Sequence, residues 1–219
     1  MKKSFAVIGL GRFGSCVARE LAKNSTDVLA IDIIVENVEK IADVISNCAV
    51  CDSTKKKDLQ ELGMQSIDHA IVAIGNNLEA SILTTINLKA LGVKEITVRA
   101  DEAEHRDVFI TLGATNVIIP EEASAVSLAN RIVSDGILDY YNVKGEYSIV
   151  QLIVSKDFES RSLIDLGVRQ KFSVSIVGII RNNVFIIPQG TDVIAADDIL
   201  LVLGQKQKLK KFNSFVNGE

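Results

Sequence analysis

Phe5-Ala6-Val7-Ile8-Gly9-Leu10-Gly11-Arg12-Phe13-Gly14 decides how the rest of the chain is read. A short apolar run, the mark of a buried strand, passes at once into G-x-G-x-x-G, and a helical pattern begins at the third glycine. Gly9 permits the tight turn, Gly11 lets backbone N–H groups approach a pyrophosphate, and Gly14 lets the helix pack closely on the sheet. That helix offers unpaired N–H groups and the positive end of its dipole to an anion. Three glycines in isolation are a weak signal. Here the flanks match, because Asp32 closes the next apolar run, Val28-Leu29-Ala30-Ile31. The whole unit predicts the first half of a Rossmann-like nucleotide-binding domain.

The pattern then repeats outward. Apolar runs recur about every 20 to 25 residues: Phe5 to Ile8, Val28 to Ile31, Cys48 to Cys51, His69 to Ile74, Glu95 to Arg99 and Asn116 to Ile119. Between them Phe13, Val17 and Leu21 repeat at helical spacing, as do Val38, Ile41 and Ile45, and Leu78, Ile82 and Ile86, each set an apolar stripe. Alternating strands and helices give a mostly parallel sheet with right-handed crossovers. After Ile119-Pro120 the alternation stops. Glu121 to Val133 reads as a helix with Ala125, Leu128, Ala129 and Ile132 on one side, and Ile137 to Tyr141 as a short docking element.

From Gly145 the texture changes to β-rich runs at Tyr147 to Val154, Val174 to Ile180, Val184 to Ile187 and Ile199 to Leu203. Asn182-Asn183 reads as a tight hairpin turn, Ser160 to Leu166 as one small helix and Gln207 to Phe215 as a closing one. The expected architecture is α/β, a Rossmann-like mostly parallel sheet over residues 1–133, a connecting segment over 134–144, and a small C-terminal α+β domain over 145–219. A domain of about 70 residues has a marginal core, so pairing with a second copy is an economical way to stabilise it.

Composition narrows the function. The formal charge of −4 leaves no basic surplus to neutralise phosphates, which argues against a nonspecific nucleic-acid binder. No apolar run approaches the ~20 residues that span a bilayer, and the short run after Met1-Lys2-Lys3-Ser4 is too brief for an export signal. The chain is expected to be cytoplasmic. Three cysteines make no disulfide framework: Cys48 and Cys51 fall where side chains point to opposite faces of a strand, and Cys16 reads as a small core residue.

Several side chains fall at the ligand-bearing edge of such a sheet. Asp32 is placed to accept both ribose hydroxyls and to disfavour a 2′-phosphate, or simply to cap the following turn. Asp52, with Ser53-Thr54, lines the adenine edge or caps the next helix. Asn76 and Asn77 stand at the crevice mouth, where their amides touch the ligand or where Asn76 is an N-cap. Arg12 lies near a helix N-terminus, where a cation is disfavoured by about 0.3–1 kcal/mol. That position makes sense with an anion in front, whether the chain's own ligand or one held by a neighbour; the alternative is an arginine snorkelling into solvent. Arg99 is a second cation at the same edge, and Glu121 and Glu122 are either helix-start acids or carboxylates near a nucleotide-bound cation. Only two histidines occur, His69 and His105, and there is no Walker A lysine. No catalytic residue is expected, and ligand-driven switching outranks chemistry.

The glycine loop with its Arg12-Phe13 variant, Asp32, Ala73-Ile-Gly-Asn-Asn77, Leu83-Thr-Thr-Ile-Asn-Leu-Lys89, Tyr147-Ser-Ile-Val150 and Ile164-Asp-Leu-Gly-Val-Arg169 together resemble the RCK (KTN) family, TrkA-N plus TrkA-C, of cytosolic KtrA/KtrC-type regulators of potassium uptake. The resemblance implies a homodimer-based octameric ring beneath a membrane potassium-translocating subunit of KtrB/KtrD type, with ATP or ADP in the crevice. By matching position, Gly9, Gly11 and Gly14 hold the phosphates, Asp32 holds the ribose, and Asp52 and Asn76 lie near the adenosine, with Phe13, Asn77 and Arg99 also among the cofactor-binding residues. Arg12 reaches a neighbour's γ-phosphate, and Glu121 binds a divalent or monovalent cation beside ATP. The resemblance also implies a cyclic di-AMP site near Arg169 and Phe172 to Val177, and places Ile137 to Tyr141 in a crossover between subunits. Two rival readings share the same loop: an NAD(H)-binding redox sensor or small dehydrogenase, and an interaction module with a vestigial crevice.

Overall fold

The computed structural model describes residues 3–24, 27–75, 77–133 and 136–218, and the chain divides into two compact units, Met1–Glu122 and Ala123–Glu219. The first contains β1 (Phe5–Ile8), α1 (Arg12–Asn24), β2 (Val28–Asp32), α2 (Val35–Ala42), β3 (Cys48–Val50), α3 (Lys56–Glu61), β4 (His69–Val72), α4 (Leu78–Ala90), β5 (Glu95–Arg99), α5 (His105–Leu112) and β6 (Asn116–Ile118). Helix α6 (Pro120–Val133) starts in the first unit and runs into the second.

The first sheet has the order β3-β2-β1-β4-β5-β6, and all its pairings are parallel. Parallel strands covered on both faces must be apolar throughout, and β2 is buried at every position. Alternate residues feed two cores: Ala6, Ile8, Leu29, Ile31 and Val72 on one face, Val7, Val28, Ala30 and Ile71 on the other. Strand order reverses between β1 and β4. In open parallel sheets such a reversal is where a ligand crevice forms at the carboxyl ends, which makes the glycine loop after β1 and the turn after β4 its two lips.

The second unit continues with β7 (Ile137–Lys144), β8 (Tyr147–Ile153), β9 (Arg161–Ser162), α7 (Leu163–Leu166), α8 (Val168–Phe172), β10 (Ser175–Arg181), β11 (Val184–Ile186), β12 (Val193–Ile194), β13 (Ile199–Gln205) and α9 (Lys206–Asn217). Its main sheet has the order β11-β10-β13-β8-β7, with β12-β9 as a separate ladder. Strands β8 and β13 alternate buried and part-exposed residues, and the buried set (Val150, Leu152, Leu200, Val202) packs with Leu209, Phe212 and Val216 of α9. Asn182 and Asn183 have φ of 51° and 61°, the left-handed pair that a two-residue hairpin between β10 and β11 requires.

Several expectations change. Cys16 is exposed rather than in the core, because Gly14 and Ala18 are the buried residues of α1. In α4 only Ile82 of the apolar stripe packs against the core: Leu78 and Ile86 are exposed, while Ser81, Thr84, Thr85 and Leu88 are buried. The stripe of α6 is exposed as well, with Leu128 at 55% and Ile132 at 72%. Residues 137–144, read as part of a connecting segment, form β7 at the edge of the second sheet. Ser160 to Leu166 divides into β9 and α7, and α8 and β12 were not expected at all.

Candidate functional site

The glycine loop is shaped by its own backbone. Gly9 has a φ of +91°, and a Cβ there would stand 2.9 Å from the Ala73 carbonyl carbon and the Ile74 nitrogen. A Cβ on Gly14 would fall 1.8 Å from the Gly9 carbonyl oxygen. Gly11 differs: its chain neighbours aside, no atom of the described residues lies within 4 Å of the place its Cβ would take. The fold therefore demands glycine at 9 and 14 and leaves the space before residue 11 open.

Helix α1 begins at Arg12 and has no acidic residue in its first turn. The guanidinium of Arg12 is exposed and forms no ion pair among the described residues. An unbalanced helix N-terminus carrying an unpaired cation is electrostatically suited to an anion.

Asp32 is buried at 7% exposure and ties the loop to the second strand. Its Oδ2 accepts from the Leu10 N–H at 2.5 Å and from Asn37 Nδ2 at 3.2 Å, and its Oδ1 accepts from the Ile34 N–H at 2.8 Å. The capping role and the position at the end of β2 are thus both real, and the carboxylate also fixes the loop's path. Asn37 was not anticipated. It lies five residues beyond Asp32, inside α2, and only the helix brings it back.

Asp52 is held within its own turn. Its Oδ1 accepts from the Thr54 hydroxyl at 2.6 Å and the Thr54 N–H at 3.1 Å, and Lys55 Nζ lies 3.3 Å from Oδ2. The Thr54 hydroxyl leads in holding this carboxyl below the usual range. The same turn is pinned to α4: Ser53 Oγ is 2.7 Å from Thr84 Oγ1, and Asn87 Nδ2 donates to the carbonyls of Ser53 at 3.2 Å and Thr54 at 2.9 Å. A polar set at Ser81, Thr84, Thr85 and Asn87, spaced three and four apart, was the available sign that α4 buries its polar face.

On the other lip, Asn77 is the N-cap of α4, its Oδ1 accepting from the Ala80 N–H at 2.9 Å. The cap therefore falls one residue later than the alternative weighed for Asn76, which lies outside the described residues. Arg99, at the end of β5, sits with its Cζ 5.9 Å from the Phe13 ring centroid. Its Nη2 is 2.9 Å from Glu121 Oε1 and 3.1 Å from Asp101 Oδ1. Gly75 faces the same guanidinium, since a Cβ there would stand 3.0 Å from Nη1. The structure thus joins Phe13, Gly75, Arg99 and Glu121 in one cluster. Among the described residues no group of three or more His, Cys, Asp or Glu is arranged to hold a metal ion.

In the second unit, a cavity of about 330 Å³ is lined by Ile164, Arg169, Val174, Ile176 and Pro188, among others. Another, of about 410 Å³, lies between Asp157, Phe158, Glu159, Arg161 and Phe215. Among the described residues no helix is long and apolar enough to cross a membrane.

Residues 5–120 match the TrkA-N domain and residues 149–217 the TrkA-C domain. The Ktr system potassium uptake protein C of Bacillus subtilis (strain 168) is 41% identical over 217 residues, 99% of this chain and 98% of that protein. The Ktr system potassium uptake protein A of the same organism is 37% identical over 213 residues, 97% and 96% of the two chains. Among solved structures, the GsuK channel bound to NAD superposes with a TM-score of 0.68 at 15% identity, covering 100% of this chain and 40% of the channel. At that identity the likeness concerns the fold, and the chain spans less than half of the channel's length. An N-terminal parallel sheet of nucleotide-binding topology, a small antiparallel C-terminal unit and similarity over nearly the full length of two potassium-uptake proteins lead to one assignment: the chain belongs to the TrkA-N/TrkA-C (RCK) family of potassium-transport regulatory subunits, which are not enzymes.

Proposed function

We propose that this chain is the nucleotide-sensing regulatory subunit of a potassium-uptake system, with ATP or ADP held in the crevice between β1 and β4. One observation carries the reading: Gly11 has no packing reason to be glycine, and the space before it opens at a helix N-terminus that bears an unpaired arginine. A phosphate chain is the ligand whose approach that space and charge favour. Asp32, already at the end of β2, turns from the Leu10 N–H toward ribose hydroxyls. Asp52 and Asn76 are the candidate contacts to the adenosine, and Asn77 is a further candidate ligand contact. Glu121 is the candidate ligand for a cation beside the phosphates.

The subunit acts in the cytoplasm as a homodimer-built ring, octameric as in the resemblance above, against a membrane potassium-translocating partner. Gating requires that ATP bind one ring geometry more tightly than ADP does, because a ligand with equal affinity for both shifts nothing. Arg12 reaching a neighbour's γ-phosphate supplies such a differential contact. Cyclic di-AMP is the proposed second ligand, at the cavity lined by Arg169 and Ile176.

NAD(H) is the second reading of the crevice, favoured by Asp32, whose charge suits an unphosphorylated ribose. A calorimetric panel of ATP, ADP, NADH and NAD, followed by ion flux with the membrane subunit under ATP and ADP, tests the proposal. Tight ATP and ADP binding with different flux is expected. A preference for NADH overturns it in favour of the redox sensor, and no saturable binding favours the scaffold.

A further inference from the structure

We propose that the Arg99–Glu121 ion pair is a latch that the phosphates of the crevice ligand open, an inference that rests on the nucleotide reading above. Arg99 is the most confined cation of the site, its side chain only 17% exposed, yet its donors are unevenly used. Nη2 alone serves both Asp101 and Glu121, whereas Nε is buried with no hydrogen-bond partner among the described residues. A guanidinium is best satisfied when neighbouring N–H groups meet one oxyanion as a fork, which this arrangement does not achieve.

The surroundings leave room for the exchange. Gly75 presents no side chain to Nη1, and the Phe13 ring, from the first turn of the phosphate-facing helix, lies under the guanidinium. The two carboxylates are 46% and 63% exposed, so each is readily released to water. A phosphate oxygen entering by the glycine loop competes for Arg99 and sets Glu121 free. Glu121 stands in the first turn of α6, the helix that passes from the first unit into the second. Occupancy of the crevice is thereby read at the start of that helix, and the released carboxylate becomes available to a cation only once phosphate is present.

The test is calorimetric titration of ATP, ADP and adenosine, in EDTA, into the full chain as wild type, Glu121→Gln, Arg99→Gln and the double variant. Glu121→Gln removes the competitor and is expected to tighten ATP and ADP by about 3- to 10-fold while leaving adenosine unchanged. In the Arg99→Gln background the same substitution is expected to change nothing. Unchanged or weaker nucleotide binding by Glu121→Gln overturns the latch, as does an equal gain for adenosine. A gain that persists without Arg99 overturns it too, since that would be simple repulsion between Glu121 and phosphate. If the wild type binds none of the three, the nucleotide reading itself falls, and the latch with it.

Discussion

The hydroxyls of Ser53 and Thr84 lie 2.7 Å apart, both buried, and bind the turn after β3 to the middle of α4. Thr84 is fully enclosed, so removing its oxygen leaves Ser53 without a partner and without water. Thr84→Val is expected to lower stability by about 1–3 kcal/mol, whereas Thr84→Ser retains most of it. Chemical denaturation of the two variants beside the wild type measures the difference.

Gly11 and Gly14 make a matched pair of opposite sign. Gly14→Ala forces a Cβ onto the Gly9 carbonyl oxygen, backbone that cannot swing aside, and is expected to cost about 3 kcal/mol or more. Gly11→Ala meets no atom of the described residues beyond its chain neighbours and should change stability by no more than about 0.5 kcal/mol. It should nonetheless weaken nucleotide binding at least about tenfold, a loss of about 1.4 kcal/mol. Thermal melts and titrations on the same preparations separate the two effects.

Arg12 carries a cost that the ligand offsets. In the ligand-free chain Arg12→Ala removes a cation from a helix N-terminus and is expected to raise stability by about 0.3–1 kcal/mol. With ATP the order reverses. ADP affinity is preserved, while the extra effect of ATP on transport is weakened. Equal ATP and ADP effects in both the wild type and the variant would remove Arg12 from the mechanism.

Burial pushes the Cys51 thiol from its ordinary 9.0 up to about 11, with Asp58 and Asp52 adding to the shift. The unfolded chain ionises first, so the folded state holds more protons between those values. Stability from this group is complete below 9.0 and is lost as the pH rises toward about 11. At ~1.4 kcal/mol per unit, the loss is of the order of 2–3 kcal/mol. Cys51→Ala should flatten that part of the stability profile relative to the wild type. At pH 8 an alkylating reagent should modify exposed Cys16 and spare Cys51 until the chain unfolds, which peptide mass mapping reads directly.

Much of the first unit was legible because its signals are local. Phe5 to Gly14 specifies strand, turn and helix within ten residues, and every strand of the parallel sheet falls on a predicted apolar run. Asn182-Asn183 announced its hairpin for the same reason: the turn's backbone geometry is set by those two residues alone. In α4 periodicity alone does not choose the buried face, because Leu78, Ile82 and Ile86 obey it as well as Ser81, Thr84 and Thr85 do, and only Ile82 of the apolar set packs against the core. Periodicity shows that a helix has two faces; what lies opposite each decides which is covered. The turn carrying Ser53 supplies partners for the polar face, so that face goes inside.

The candidate site divides along the same line. Gly9, Gly11, Gly14 and Asp32 were identifiable from spacing, since one βαβ unit fixes their mutual positions. Arg99 and Glu121 were named separately, and nothing in their 22-residue separation shows that they touch.

By itself, then, the sequence determined the alternation of strands and helices, the phosphate-facing loop and the change of architecture after the first sheet, because each depends on neighbours in the chain. Tertiary structure decided which side of α4 is buried, that residues 137–144 pair as an edge strand, and that Asp32 is bound to Leu10. It also decided that Arg99 is shared between Glu121 and Asp101 above Phe13. Those outcomes depend on groups brought together by the sheet's crossovers, and no local pattern encodes distance across a fold.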